Sequence, residues 1–171
     1  MKTPILGSAY VARSVNAADN RMINLFPEAI PEAGKEPAFL QRAPGLNFLA
    51  SVGDGPVRGL WAFGNYGYAV SGTKFYKIDT DWNVTYKGVV AGTGQVSMVD
   101  NGTQLFIAAG ATGYIYNAGT DVFAQITDPD FAGAVTVGFI DGYFVYNQPN
   151  SQKFWVTALY DGTSVDPLDF A

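Results

Sequence analysis

Residues 57–89 read VRGLWAFGNYGYAVSGTKFYKIDTDWNVTYKGV, and their pattern is the strongest indication of the architecture. Short runs with alternating apolar residues are separated by Gly-Asn, Ser-Gly-Thr and an Asp- and Asn-containing break, which are turn-forming sequences. Alternation with a period of two is typical of half-buried strands. We therefore predict four strands, at Arg58–Phe63, Tyr66–Val70, Lys74–Ile78 and Val84–Val89.

Two further groups of short strands follow the first. The second group has four predicted strands: Gln95–Val99, Gln104–Ala108, Gly113–Asn117 and Val122–Ile126. The third group has three: Val135–Ile140, Tyr143–Tyr146 and Lys153–Ala158. Asn101-Gly102 and Asp141-Gly142 suit the turns, because both dipeptides accept positive φ. No stretch sustains a 3.6-residue period, so we predict an all-β chain.

The strand groups repeat along the chain. Tyr68, Phe106 and Phe144 follow one another at intervals of 38 positions, and Gly72 and Gly110 share that offset. Four antiparallel strands per unit of roughly 40 residues are typical of a β-propeller blade. The alternative is a meander sandwich with coincidental spacing. We predict β-propeller-like four-stranded antiparallel blades.

The number of predicted blades is smaller than a closed propeller requires. The blades lie at about 57–92, 93–130 and 131–171, and we expect the third to be incomplete. Closed propellers have about four to eight blades. We therefore expect an incomplete propeller: either the chain is part of a longer one, or the missing blades come from elsewhere.

The region before the blades, residues 1–56, is rich in proline. Proline fixes φ and disfavours both a long helix and a central strand. We therefore predict an extended N-terminal arm. Phe39–Gln41 or Leu46–Val52 is a candidate for the outer strand that closes a propeller, and an irregular lead-in to the first blade is the alternative.

The composition excludes most familiar catalytic designs. The 171-residue chain has no His and no Cys, so it offers neither a Ser-His-Asp triad nor a thiolate or imidazole metal ligand. No apolar run reaches the roughly 18 residues of a membrane helix, and we identify no secretory signal. We predict that the chain is not an enzyme and that it uses no cofactor and no membrane.

Candidate chemistry in the remaining residues is weak. Asp79, Asp81 and Asn83 have the spacing of the first three calcium ligands of an EF-hand loop, but Val84 occupies the position that needs glycine. A solvated hairpin turn is the more ordinary interpretation. Asp100, Asp141 and Asp161 are conceivable as a carboxylate pair for glycoside hydrolysis, although Asp is also common in tight turns. We assign no catalytic residue and no metal ligand.

Aromatic residues cluster in the first and third predicted blades. Large rings of this kind most often pack between sheets, where each contributes a few kcal/mol through loss of water contact. Those that remain outside the core are candidates for a surface that binds carbohydrate or a receptor. Core packing is our prediction for most of them.

Three stretches of the sequence carry a resemblance to a known family. They are Asn20–Glu28 (NRMINLFPE), Gln41–Leu46 (QRAPGL) and Pro56–Leu60 (PVRGL). They resemble the opening of the phage packaged-DNA stabilisation proteins, which are tail accessory or head-to-tail hub proteins of short-tailed bacteriophages. Asp161-Gly162-Thr163 and Asp166–Ala171 (DPLDFA) are similar to a stretch in the middle of that family, so the resemblance covers its N-terminal part.

The resemblance implies a structural role in the virion. It implies a β-propeller-like subunit in a homo-oligomeric ring of the tail, assembled in the host bacterial cytoplasm. The ring would contact the portal and adaptor, close the channel, help retain packaged DNA, and receive the distal tail or needle. The alternative function is a carbohydrate- or receptor-binding propeller module of a phage tail.

The arm is the part of the chain that we predict to make partner contacts. The candidate interaction residues are Arg13, Arg21, Phe26 and Arg42, facing neighbouring subunits or the adaptor ring. Acidic residues are interleaved with the basic ones, so no basic stripe forms. We therefore predict no specific nucleic-acid site.

Overall fold

The computed structural model describes residues 23–29 and 38–171, and every regular element in them is a β-strand. The all-β prediction is therefore confirmed. The chain divides into two compact units, Met1–Phe48 and Leu49–Ala171.

The first unit contains a two-stranded hairpin formed by β1 (Leu25–Ala29) and β2 (Ala38–Arg42). Pro27 lies opposite Leu40 in this ribbon. A two-stranded ribbon has an unpaired edge on each side, so a proline without an N–H group is compatible with it.

No early segment within the described residues is an outer strand of a four-stranded sheet, and the closing strand of a propeller stays a prediction because the sheets do not form a closed ring. Phe39–Gln41 lies within β2 and pairs with β1, and residues 46–52 form no strand. The reason is local: each four-stranded sheet is completed by consecutive strands, so none of these sheets needs a strand from residues 38–52.

The second unit contains three four-stranded antiparallel sheets, which we call blades 1, 2 and 3. Blade 1 consists of β3 (Val57–Phe63), β4 (Tyr66–Ser71), β5 (Lys74–Ile78) and β6 (Val84–Val89). Blade 2 consists of β7 (Ser97–Asp100), β8 (Gln104–Ala108), β9 (Gly113–Asn117) and β10 (Val122–Gln125). Blade 3 consists of β11 (Val137–Ile140), β12 (Tyr143–Asn147), β13 (Phe154–Ala158) and β14 (Asp161–Phe170). The predicted blade-like sheets are confirmed.

Blade 3 has four strands, so the prediction that it is incomplete is wrong. The missed strand is β14, whose Asp, Gly and Pro residues resemble a loop. A bulge in β14 accommodates them. Val165 pairs with Thr157 and Phe170 pairs with Trp155, so five positions along β14 correspond to two positions along β13. Bulged edge strands tolerate proline, because part of the ladder is left unpaired.

The blades pack face to face through two apolar cores. We call the side of a blade that is turned towards the next blade in the chain its forward face, and the opposite side its backward face. In the first core, the forward face of blade 1 (Tyr68, Val70, Phe75) packs on the backward face of blade 2 (Leu105, Ile107, Tyr114, Tyr116). In the second core, the forward face of blade 2 (Phe106, Ala108, Ile115) packs on the backward face of blade 3 (Phe144, Tyr146, Trp155).

The 38-residue repeat holds from blade 1 to blade 2 but slips by one residue in blade 3. Tyr68 and Phe106 both lie on forward faces, whereas Phe144 lies on a backward face and its ring meets Phe106 at a centroid distance of 5.4 Å. A slip of one residue turns a strand's side chains to the other face. Strands β4 and β8 begin 38 positions apart, at Tyr66 and Gln104, whereas β12 begins at Tyr143, 39 positions after the start of β8.

The three blades form an arc and do not close into a ring. The first strands β3, β7 and β11 lie along its inner side, where β7 contacts both of the others. An incomplete propeller is therefore confirmed. Within the described residues, no helix has the length and apolar character needed to span a bilayer.

Candidate functional site

A buried arginine ties blade 1 to the connection that leads into blade 2. Arg58 lies on β3 and is only 8% exposed. Its guanidinium donates hydrogen bonds to four backbone carbonyl oxygens: Gly94 (2.7 Å), Gly72 (2.9 Å), Ala91 (3.0 Å) and Val90 (3.2 Å). Burial lowers the pKa of Arg58, but arginine stays charged at any physiological pH. Arg58 therefore fixes the inter-blade connection by charge-assisted hydrogen bonds.

A second set of polar contacts joins the outer strands of blades 1 and 2. Asp121 lies in the β9–β10 turn and is 2.6 Å from Lys87 Nζ and 3.6 Å from Lys77 Nζ, both of blade 1. Tyr116 also donates its hydroxyl proton to Asp121. The hydrogen bond from Lys87, followed by that from Tyr116, lowers the pKa of Asp121 to about 2. Desolvation and the same carboxylate raise the pKa of Tyr116 above its usual range, so its hydroxyl stays protonated.

The inner strands of blades 1 and 2 are joined by a single side-chain pair. Trp61 on β3 donates its indole N–H to Asp100 Oδ2 at the end of β7, over 2.8 Å. Because Trp61 also packs against the first core, it contributes both apolar contact and orientation.

Blades 2 and 3 are joined by the Asp161-Gly162-Thr163 stretch. Gln104 on β8 accepts a hydrogen bond from the backbone N–H of Gly162 (2.8 Å) and donates one to Asp161 Oδ1 (3.4 Å). Asp161 also accepts the backbone N–H of Thr163 (3.0 Å), which shapes the start of β14.

Gly162 is required at its position by close packing. A Cβ atom there would lie 2.5 Å from Ile115 Cδ1 and 3.2 Å from the rings of Phe106 and Phe144. The backbone of β14 therefore lies directly on the second core, and only glycine fits without displacing a neighbour.

An apolar groove of about 650 Å³ lies on blade 1 at the edge that carries the β3–β4 and β5–β6 turns. The side chains of Leu60, Ala62 and Ile78 line it, and Trp82 lies beside them. Trp82 is 50% exposed and has φ of 65°, a conformation that bulky residues rarely adopt. The turn thus holds a large aromatic ring at the mouth of the groove.

The structure places two of the four predicted interaction residues. Leu25 lies opposite Arg42 and Phe26 lies opposite Gln41, so Phe26 and Arg42 point to opposite faces of the hairpin. They do not form one surface. Arg13 and Arg21 lie outside the described residues.

The segment with partial calcium-loop spacing forms a self-contained turn. One oxygen of Asp79 accepts the backbone N–H groups of Asp81 and Asn83, and the other accepts the side-chain amide of Asn83, each at 2.9 Å. These hydrogen bonds lower the pKa of Asp79, and the bond from the Asn83 side chain has the largest effect. In the described part of the chain, no three acidic side chains converge as metal ligands would.

Comparison with known proteins identifies the family. The family described as bacteriophage P22 Gp10, beta-propeller, has a model that matches residues 1–171. The chain belongs to this family. The resemblance noted in the sequence is thereby confirmed, and the chain is related to a phage structural protein that stabilises packaged DNA. No curated protein matches the chain at a significant level.

Two of the stretches that carry the resemblance have a structural explanation. Pro56–Leu60 contains Arg58, which ties blade 1 to the inter-blade connection, and Gly59, where a Cβ atom would lie 2.7 Å from Met98 Cε and 2.9 Å from the Val96 carbonyl oxygen. The Asp161-Gly162-Thr163 stretch joins blades 2 and 3. The family-like sequence in these places serves inter-blade packing.

Sequence reasoning missed the role of the residues that join the blades. The sequence pattern identifies Arg58 as the start of a strand within the PVRGL stretch and Gln104 as the first residue of another strand, and it assigns neither an inter-blade contact. The one signal in the sequence is an arginine within an apolar strand. Such an arginine indicates a buried guanidinium, and a buried charge needs several hydrogen-bond partners. Those partners are supplied by distant backbone carbonyls, which leave no pattern in the sequence.

Proposed function

We propose that this chain is a structural protein of the phage head-to-tail connector, or tail hub, where it closes the portal channel and helps to retain packaged DNA. The single observation that carries this proposal is the family match over residues 1–171. The stack of blades gives it a physical basis, since two apolar cores and four sets of polar contacts resist separation of the sheets.

The charge of the blade region favours a steric mechanism of retention. Beyond residue 50 the chain carries 5 basic and 11 acidic residues, a net charge of −6. A surface of that sign repels a phosphate backbone. The protein would therefore block the passage of DNA without binding it, and DNA would not adhere when it is released.

The partner contacts remain those predicted from the arm. We propose a homo-oligomeric ring in the virion tail that meets the portal or adaptor on one side and the distal tail or needle on the other. The arm would supply these contacts through Arg13, Arg21, Phe26 and Arg42. Since Phe26 and Arg42 lie on opposite hairpin faces, we expect them to meet different neighbours.

The experiment is a complementation assay on phage particles that lack the protein. We expect such particles to lose packaged DNA, measured as nuclease-sensitive DNA, and the full chain supplied in trans to restore retention. Val122→Asp, at an exposed position of β10, serves as the control and should restore retention fully. Particles that retain DNA equally well without the protein would exclude the proposed role.

A carbohydrate-binding role is the second candidate, and the aromatic groove favours it. Trp82 is exposed beside the groove, and sugars stack on such rings. Titration with oligosaccharides, followed by tryptophan fluorescence, tests it. A saturable change in the natural chain that is absent in Trp82→Ala would support sugar binding, and an unchanged spectrum would exclude it at this groove.

A further inference from the structure

The β7–β8 turn of blade 2 contains Asn101-Gly102, the one Asn-Gly dipeptide in the sequence. Glycine has no side chain to shield its backbone nitrogen, so this nitrogen can approach the side-chain amide of the preceding asparagine. Gly102 is exposed, and a Cβ atom at this position would meet nothing within 4 Å. A backbone nucleophile and the amide that it can attack therefore lie together in an open turn.

Asp100 is placed to take the proton from the Gly102 nitrogen. Its Oδ1 accepts the Gly102 N–H group over 3.1 Å. Its Oδ2 accepts the indole N–H of Trp61 over 2.8 Å, which holds the carboxylate in place. A carboxylate in hydrogen-bond contact with the proton to be removed has the geometry that general-base catalysis requires.

The side-chain amide of Asn101 is held by its oxygen. Asn101 Oδ1 accepts the backbone N–H groups of Thr103 (3.0 Å) and Gln104 (2.7 Å). Donors at about 2.7–3.1 Å stabilise the negative charge that develops on a carbonyl oxygen when its carbon is attacked. The same two N–H groups therefore form an oxyanion hole for attack on Asn101 Cγ.

We propose that Asn101 is a site of self-catalysed deamidation. The Gly102 nitrogen forms a bond to Asn101 Cγ and gives its proton to Asp100, while the carbonyl electrons move onto Oδ1. When the carbonyl double bond forms again, the bond to Nδ2 breaks, and Nδ2 leaves as ammonia with the proton from Asp100. Water then opens the five-membered succinimide and leaves either aspartate or isoaspartate at position 101. Water is the only co-reactant.

Asn117, in the turn between β9 and β10, has only part of this arrangement. Its Oδ1 also accepts two backbone N–H groups, those of Gly119 (3.0 Å) and Thr120 (3.1 Å). The residue that follows it is Ala118, whose nitrogen donates to the carbonyl oxygen of Thr103 (2.9 Å) and not to a carboxylate. We therefore expect Asn117 to keep its amide, which makes it a control within the same molecule.

Deamidation of Asn101 would weaken the contact between blades 2 and 3. Asn101 Nδ2 donates a hydrogen bond to the carbonyl oxygen of Tyr160 in the β13–β14 turn, over 3.2 Å. A carboxylate at position 101 has no proton to donate and would place a negative charge against that oxygen. We expect Asn101→Asp to lower the melting temperature by about 3 °C, the shift for loss of one hydrogen bond in a chain of this size.

The test is peptide mass spectrometry of the purified full chain after incubation at neutral pH. We expect Asn101 to be converted while Asn117 stays intact. Because Asn-Gly pairs also react in unfolded chains, the decisive comparison is with the same chain unfolded in guanidinium chloride. Conversion should be at least about tenfold faster in the folded chain, and Asp100→Asn should remove this difference. Asp100→Glu keeps a carboxylate and should recover part of the rate.

Three results would overturn the proposal. The first is a folded chain that converts Asn101 no faster than the unfolded chain does, because the turn would then give no catalysis. The second is an Asp100→Asn variant that is folded by circular dichroism and reacts at the natural rate. The third is equal conversion of Asn101 and Asn117. The first comparison uses only the natural chain, so it decides the matter even if Asp100→Asn does not fold, and it does not depend on the role in the virion.

Discussion

Replacement of Arg58 by methionine tests how the blades are held together. Methionine fills a similar volume but donates no hydrogen bond, so the carbonyl oxygens of Gly72, Val90, Ala91 and Gly94 would lose their shared donor. A hydrogen bond to a charged group contributes about 1.5–3 kcal/mol. The four bonds are not additive, since they share one group whose burial is itself unfavourable.

We expect Arg58→Met to lower the free energy of unfolding by about 3 kcal/mol, which is near the lower limit for breaking a buried charge pair. At about 3 °C per kcal/mol for a chain of this size, the melting temperature should fall by about 10 °C. Arg58→Lys should recover only part of the loss, because an ammonium group cannot span the same carbonyls.

The assay is thermal and urea unfolding followed by circular dichroism. Lys74→Met is the matched control: it removes a positive charge from an exposed position of β5 and should change stability by less than about 0.5 kcal/mol. If Arg58→Met is as stable as Lys74→Met, the conclusion that Arg58 fixes the inter-blade connection is refuted.

Two other substitutions test the remaining inter-blade contacts. Gly162→Ala adds a methyl group to the second core and should cost about 1–3 kcal/mol in urea unfolding, whereas Gly138→Ala, with open space around its Cβ position, should be close to neutral. The pKa of Asp121 is about 2 in the folded chain and about 3.9 in the unfolded chain. Ionised Asp121 therefore stabilises the fold above about pH 4, and this stabilisation is lost as the pH falls from about 4 to 2. Because Asp121 is half exposed, the stabilisation is below about 1 kcal/mol. Asp121→Asn should flatten the dependence of melting temperature on pH in this window. The control is Asp141→Asn, a substitution in another turn, which should not flatten it. If Gly162→Ala and Gly138→Ala change stability equally, Gly162 is not closely packed on the second core. If Asp121→Asn leaves the pH profile unchanged, Asp121 does not stabilise the contact between blades 1 and 2.

Much of the fold could be predicted because strand signals in this chain are local. The alternation in residues 57–89 and the Gly- and Asn-containing turns place β5 and β6 at their observed bounds. The strand β14 was missed for the same reason, since its Asp-Gly start and Pro167 are locally typical of a loop. Only pairing with β13 through a bulge makes it a strand.

The inter-blade contacts could not be predicted because they depend on distances between residues far apart in sequence. The interval of 38 positions between Phe106 and Phe144 suggests equivalence, but β12 begins 39 positions after β8, so Phe144 lies on the other face of its strand. Counting along the sequence cannot detect that reversal. Likewise, the acceptors of Arg58 are backbone carbonyls, which every residue has.

The most direct test of this account is the nuclear Overhauser contact between the rings of Phe106 and Phe144. Face-to-face stacking of blades 2 and 3 places these rings 5.4 Å apart, and Tyr68 and Tyr116 pair in the same way at 5.2 Å across blades 1 and 2. The account predicts strong cross-peaks within each of these two pairs. A Phe144 ring that shows no contact with Phe106 and is open to solvent would contradict it.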